Sequence, residues 1–450
     1  MAAIGVTYGF ARYGYGLCLP EFRREFGLSV SRVGLIGSAS YLGCLAALLL
    51  VGGLVARFGP RPLVVTGGLA ATLGTGMVAL APGPGTLTAG LVLAGSSSGF
   101  AWAPYSDAVD RMVPRRLRER VTGAIATGTA FGVLVAGPLT LATRGAGWRY
   151  AWLTFAALSL LTTLANARVL PSGPHVPHVP HVPHGGVDRG PTSLRPLARA
   201  ETEAHAAGRT GSQPPSPAPA PAPAPAPASA SAPAPTHGAE PGLRVRAPTS
   251  APAQPRPLLL QFARRAAVPL FATALLYGLV GAVYWAFAVE AVASAAGAES
   301  VLTPLFWTLM GLAGTAGVLT GHAIGRFGLR RVHAGLFAGI GAAVALLGLA
   351  PGSLPAVLVS AVLYGPCFMA GSGLLAVWSH QVFPEQPATG FSGTVFFLGL
   401  GTLAGPAVAG AVAAAWGLRF ALVATAALCA LALAMRPDPV RALRPALKQP

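Results

Sequence analysis

Arg12 interrupts an apolar run that opens the chain, with Tyr8 and Tyr15 one helical turn to either side and Tyr13 adjacent. A charged side chain at mid-bilayer depth costs about 2.5–3.5 kcal/mol on insertion scales, so it must face a cavity or a partner. Its fork of donors suits a carboxylate, which makes Arg12 an anchor for an anionic substrate. The competing reading is a structural arginine, satisfied by backbone carbonyls or a neighbouring helix. Tyr277, Tyr284 and Trp285, together with Trp102 and Tyr105, are candidate cavity aromatics. Such rings bind flat organic molecules and cations, and they also form interfacial belts.

Other groups offer less. Asp107 and Asp110 sit at i, i+3 near the end of an apolar stretch. Proton coupling there would need a buried carboxylate that samples both sides; a solvated helix end is the alternative. Glu290 ends another apolar stretch and reads as a rim residue. His175, His178, His181 and His184 recur every third residue, about 9 Å apart in an extended polyproline chain, too far for one metal ion to bridge. The four cysteines lie inside apolar runs without paired or metal-ligand spacing. With no phosphate-binding loop and no catalytic triad, we expect no enzyme, no cofactor and no metal site.

The elements that position these residues follow from composition. The chain is 53% hydrophobic and 10% charged, with a mean hydropathy of +0.60. That is too little charge for a water-facing surface, which a soluble protein covers with about 25% charged residues. A bilayer core takes about 20 apolar residues per helix. Twelve runs qualify: 2–20, 33–56, 63–81, 86–108, 120–142 and 148–168, then 266–289, 301–324, 333–350, 354–379, 389–413 and 417–435. We therefore expect an all-α integral membrane protein of twelve transmembrane helices in two six-helix halves, residues 1–170 and 263–436. Between them, the Pro/Ala/His-rich segment 171–262 reads as a disordered linker, and 437–450 as a basic tail.

Basic residues set the orientation. With both termini cytoplasmic, 24 of the 31 fall on inner segments and six on outer ones, Arg23, Arg24, Arg32, Arg144, Arg149 and Arg419; Arg12 belongs to neither. The net charge of +18 then states topology in a cell membrane and needs no nucleic acid to explain it. The first residues lack the basic start of a signal peptide, and the first span begins so early that we expect the natural chain to start a few residues upstream.

The halves are copies. Tyr8-Gly9 and Tyr15 recur as Tyr277-Gly278 and Tyr284, and Gly52-x4-Arg57-Phe58-Gly59-x-Arg61 recurs as Gly321-x4-Arg326-Phe327-Gly328-x-Arg330, both shifted by 269. Ala136-Gly137-Pro138 recurs as Ala404-Gly405-Pro406, shifted by 268. A parallel repeat, with a pseudo-two-fold axis along the membrane normal, follows.

Twelve spans in 6+6, a long central loop and that repeated loop motif resemble the major facilitator superfamily. More narrowly, Gly9-Phe10-Ala11-Arg12-Tyr13-Gly14-Tyr15-Gly16 with Leu19-Pro20 resembles its YbfB-like branch. The resemblance implies alternating access around a central cavity lined by spans 1, 4, 7 and 10. It also implies a latch on the cytoplasmic surface in the inward-closed state, from Asp107 and Asp110 to Arg57 or Arg61. Gly137-Pro138 in span 5, repeated as Gly405-Pro406 in span 11, resembles the antiporter motif of exporters, although small-residue packing with a proline kink produces the same pattern. Two departures stand out. Ala56 and Gly325 replace the acidic residue usual in the loop motif, and Gly95-Ser96-Ser97-Ser98-Gly99 lacks the span-4 arginine of proton-driven members.

We therefore expect a monomeric secondary transporter of a small organic, anionic solute, working by export. Proton coupling stays open. Import of the same solute class, and a non-transporting sensor that kept the fold, are the alternatives.

Overall fold

The computed structural model of the chain describes residues 1–171, 266–296 and 301–437. The expected linker, with its four spaced histidines, and the tail lie outside the described residues, apart from their first positions. All regular structure among the described residues is helical. Nine described helices are long and apolar enough to cross a bilayer, from Val30–Val51 to Pro387–Trp416, and Leu418–Ala434 is a shorter tenth. The remaining two spans, 1 and 4, are broken helices, so the twelve-span, two-half architecture holds. Leu73, Leu161, Leu312 and Val408 are each more than half exposed, as side chains facing lipid should be.

Span 1 was expected as one helix over 2–20. Instead it consists of Ala2–Ile4, a π-helical turn Gly5–Phe10, then Gly14–Leu17 and Leu19–Phe26. The amides of Ala11 and Tyr13 reach back five residues, to the carbonyls of Val6 (2.9 Å) and Tyr8 (3.0 Å). A widened turn of this kind often marks a functional site. Here it leaves residues 11–13 outside regular helix. Arg23 and Arg24, expected in a loop, belong to the last helical piece.

Span 4 breaks for a different reason. Ser96, Ser97 and Ser98 turn their hydroxyls onto the carbonyls of Leu93, Ala94 and Gly95, at 2.7, 2.6 and 2.9 Å. Side-chain bonds of this type compete with the helical ladder. Gly99 follows, the helix Pro84–Gly99 stops, and a second one, Trp102–Met112, begins with Pro104 in its first turn.

The repeat seen in sequence is also a repeat of bonds. Spans 2 and 8 both end on a left-handed glycine, Gly59 (φ 78°) and Gly328 (φ 81°). Arg57 lies over the Phe58 ring at 5.4 Å, and Arg326 over Phe327 at 5.7 Å. In the first half, Arg149 donates to the carbonyls of Ala79 and Ala81, both at 2.9 Å, closing the end of span 3. In the second, Arg419 donates to Gly348 (3.1 Å) and to Leu349, closing span 9 in the same way. Arg149 and Arg419, expected as loop charges, are thus helix caps.

Candidate functional site

Glycines let span 1 sit against both halves. A Cβ on Gly9 would lie 2.6 Å from Cα of Gly132 in span 5, and a Cβ on Gly16 would collide with the carbonyl oxygen of Trp285 in span 7. With Gly5 and Gly128 the crossing is a small-xxx-small pair, which brings backbones into contact. The irregular turn at Arg12 is therefore clamped rather than free.

Arg12 projects among spans 1, 2 and 4. Its Nη1 lies 3.3 Å from Sγ of Cys44 and 3.4 Å from Oγ of Ser98. Three rings surround the guanidinium, Tyr41 at 4.9 Å, Tyr8 at 5.2 Å and Tyr13 at 5.7 Å from its carbon. Tyr8 is itself tied by its hydroxyl to the Ser98 carbonyl at 3.2 Å. At a partly exposed guanidinium each cation–π contact is worth about 0.5–1 kcal/mol, so the cage stabilises the charge without neutralising it. Among the described residues no carboxylate lies within ion-pair distance of Arg12. Its Nε is buried with no hydrogen-bond partner.

The second half faces this cage with rings. Trp285 of span 7 stacks on Tyr13 at 4.1 Å and 19°. Phe368 of span 10 meets Tyr13 edge-on at 6.5 Å, and Trp285 at 5.5 Å. Tyr277 stacks on Phe368 at 4.9 Å and donates its hydroxyl to the Phe368 carbonyl.

Two expected substrate contacts bond elsewhere in this structure. Tyr15 is 3% exposed and donates to the Val33 carbonyl at 2.8 Å, so it fixes span 1 to span 2. Tyr284, fully buried, pairs with the Ser360 hydroxyl at 2.7 Å and stacks on Tyr364 at 3.6 Å inside the second half. The rings lying against Arg12 are those of Tyr8, Tyr13 and Tyr41, while the hydroxyls of Tyr15 and Tyr284 bond to neighbouring helices. The Trp102 side chain and Gly52 lie outside the described residues. Tyr41, Cys44 and Ser98 were missed. The i, i+3 spacing of Tyr41 and Cys44, which puts both on one face of span 2, is the signal that could have found the first two.

Several contacts between the halves lie towards the face holding Gly27, Ala81 and Trp416, called here the far face. There Arg23 pairs with Glu290. Gly137 packs against Thr308 and the Pro304 carbonyl, 2.7 Å from where its Cβ would be. Pro406 interrupts the ladder of span 11, and the amide of Ala407 donates to Oγ of Ser38 in the first half at 2.9 Å. Gly405 and Leu279 make a contact within the second half, so only part of the two Gly-Pro stretches serves the seam. Pro138 lies inside its helix.

At the opposite face, where Met1 and Gly59 lie, Asp107 pairs with Arg111 at 2.7 Å and Asp110 with Arg118 at 2.9 Å. The expected partners Arg57 and Arg61 make no ion pair with a described residue. Local i, i+4 geometry favours Arg111 for Asp107, and Arg57 is turned onto Phe58. Gly321 meets nothing within 4 Å, and Arg330 is exposed. Among the described residues, the ion pair between the halves, Arg23 with Glu290, lies at the far face.

The family model for the Major Facilitator Superfamily matches residues 1–396. Monocarboxylate transporter 11 of Homo sapiens is 33% identical over 169 residues, covering 37% of this chain and 36% of that protein. The gentisate transporter of Corynebacterium glutamicum is 27% identical over 169 residues, covering 36% and 38%. The chain thus matches little more than a third of the length of these relatives. In fold it is similar to the nucleoside transporter NupG, with a TM-score of 0.63, 13% identity, and 96% and 98% of the two chains covered. A bacterial homolog of the human lysosomal transporter Spinster, in an inward-facing and unoccupied conformation, gives 0.61 at 15% identity, covering 99% and 96%. With the family model matching residues 1–396 of the 450, this multi-pass membrane chain belongs to the Major Facilitator Superfamily of transporters.

Proposed function

We propose that this protein is a secondary transporter of a small organic anion, with Arg12 as the group that takes the anion's carboxylate. One observation carries the reading: a guanidinium held among spans 1, 2 and 4 by rings, a thiol and a hydroxyl, its Nε unpartnered, with no carboxylate among the described residues to neutralise it. A carboxylate arriving there removes an uncompensated charge from a low-dielectric site, which strengthens every bond it makes. The names of the two relatives, one for monocarboxylates and one for gentisate, support the same solute class.

The excess of arginines on the Met1 side supports a cytoplasmic placement of both termini in the cell membrane. In our reading Asp107 and Asp110 exchange Arg111 and Arg118 for Arg57 or Arg61 when that face closes, and Gly321, Arg326, Gly328 and Arg330 serve the second half likewise. Export is the direction favoured by the Gly-Pro stretch of span 5, and the YbfB-like branch by residues 9–20. Reconstitution tests the proposal. Proteoliposomes holding the full chain should exchange labelled short-chain and aromatic carboxylates. Arg12→Ala should abolish exchange with the protein still folded and inserted. Undiminished exchange in that variant would end the anchor reading.

A further inference from the structure

We propose that the anion taken by this site is a planar aromatic acid, its carboxylate on Arg12 and its ring against Tyr13 and Phe368. The inference rests on the reading of Arg12 as an anion anchor and adds what the rest of the solute must be.

The cage around Arg12 is aromatic on three sides, and its Tyr13 wall continues across the gap into Trp285 and Phe368. In an aromatic acid the ring follows the carboxyl carbon directly. An acid seated on Arg12 therefore has its ring at the level of Tyr13, beside the guanidinium. Tyr13 and Trp285 are 6% and 2% exposed, whereas Phe368, stacked on Tyr277 at 4.9 Å and on Tyr364 at 5.2 Å, is half-buried and so the most exposed ring of the three. Gly281 makes room for it: a Cβ there would collide with the Phe368 ring. Pro366, inside the same helix two residues earlier, weakens the ladder that holds it. The indole Nε1 of Trp285 is buried without an acceptor, and a ring hydroxyl or carbonyl on the solute would supply one.

Other solutes fit less well. Aromatic cages also bind cations, but this one is already filled by the protein's own guanidinium, which repels a second cation. An amino acid would need a carboxylate for its ammonium group. Among the described residues none lies at Arg12, and Glu290 is committed to Arg23. An aliphatic acid satisfies Arg12 and leaves the ring wall and the indole donor unused.

Equilibrium binding of radiolabelled benzoate and cyclohexanecarboxylate to the purified full chain separates these readings, since the two acids share size and charge and differ in planarity. Ring stacking predicts benzoate tighter by about tenfold. Phe368→Leu should bring the two acids within about twofold by weakening benzoate alone. Phe368→Tyr, which keeps a ring, should retain the preference, and Arg12→Ala should abolish binding of both. Equal affinities in the wild type, or a preference that survives Phe368→Leu, would overturn the aromatic assignment and leave the anion site standing. Failure of both acids to bind the wild type, or binding that survives Arg12→Ala, would overturn both readings.

Discussion

Arg23 of the first half and Glu290 of the second form an ion pair across the far face, with the glutamate side chain 8% exposed and the arginine 30%. Arg23 is steadied from its own side by a bond from its Nε to the Leu28 carbonyl at 3.2 Å. Breaking a buried pair by removing one partner costs about 3–5 kcal/mol, and a partly exposed one less. About 2 kcal/mol would change the balance between closed and open far faces roughly thirtyfold. Glu290→Gln should therefore raise far-face opening. An Ala293→Cys probe, buried in this state, would report it through faster labelling by a bilayer-impermeant maleimide in a background without the native cysteines. Exchanging the charges, Arg23→Glu with Glu290→Arg, should bring labelling back down. Unchanged labelling in Glu290→Gln would mean that the pair does not hold this face shut.

A second tie across the seam depends on a proline. Pro406 lies inside its helix, and the amide of Ala407 next to it donates to Ser38. In Ser38→Ala that part-buried donor loses its acceptor, at a cost of about 1 kcal/mol, and the same cysteine probe should label faster. Pro406→Ala lets the helix rebuild its ladder, so Ser38→Ala should matter less in that background. A double-mutant cycle should give a coupling of about 1 kcal/mol. Strict additivity would show that the proline and the serine act independently.

Apolar runs and repeated motifs carried the architecture into view because a bilayer enforces both. Span length follows from membrane thickness, and Gly59 and Gly328 are needed wherever the same left-handed turn recurs. The rotation of each helix about its own axis was less legible. Tyr284 and Tyr15 belong to the right spans, yet their hydroxyls are claimed by Ser360 and Val33, and only packing decides that. Cys44 was set aside for want of a pairing partner, when its neighbour turned out to be a guanidinium. The π-helical turn at Gly5–Phe10 leaves no periodicity of its own in so short a stretch. Arg149 and Arg419 counted as loop charges because sequence gives no hint that each reaches back to close the end of another helix.

That pair of caps makes a prediction about the repeat. Arg149 and Arg419 close spans 3 and 9 through bonds to carbonyls at their ends. Hydrogen bonds to a charged donor are worth about 1.5–3 kcal/mol. Arg149 also pairs with Glu25 at 2.5 Å, but both side chains are more than a third exposed, so the pair adds at most about 1 kcal/mol. Arg149→Ala and Arg419→Ala should therefore lower the thermal midpoint of the detergent-solubilised protein by comparable amounts, the first slightly more. A fall confined to one of them would show that the halves do not share this capping device.

Stability and transport should part company at Arg12. Its burial costs about 2.5–3.5 kcal/mol, and the three rings, at about 0.5–1 kcal/mol each, return most of that. Exchanging it for an apolar side chain of similar length removes both terms together, and the unpartnered Nε as well. Arg12→Met should then leave the thermal midpoint unchanged or raise it, while transport of the anion is lost. A structural arginine behaves in the opposite way, because its removal strands the groups it was holding and the midpoint falls. Arg12→Lys separates charge from shape. It keeps the cation but gives up the planar fork, so anion binding should weaken by about tenfold or more with little change in folding. Melting curves and anion-binding titrations on the same three preparations therefore decide between an anchor for substrate and a strut for the fold. Functional specialisation is the reason to keep a charge that the rings only partly offset, and a midpoint that drops in Arg12→Met would remove it.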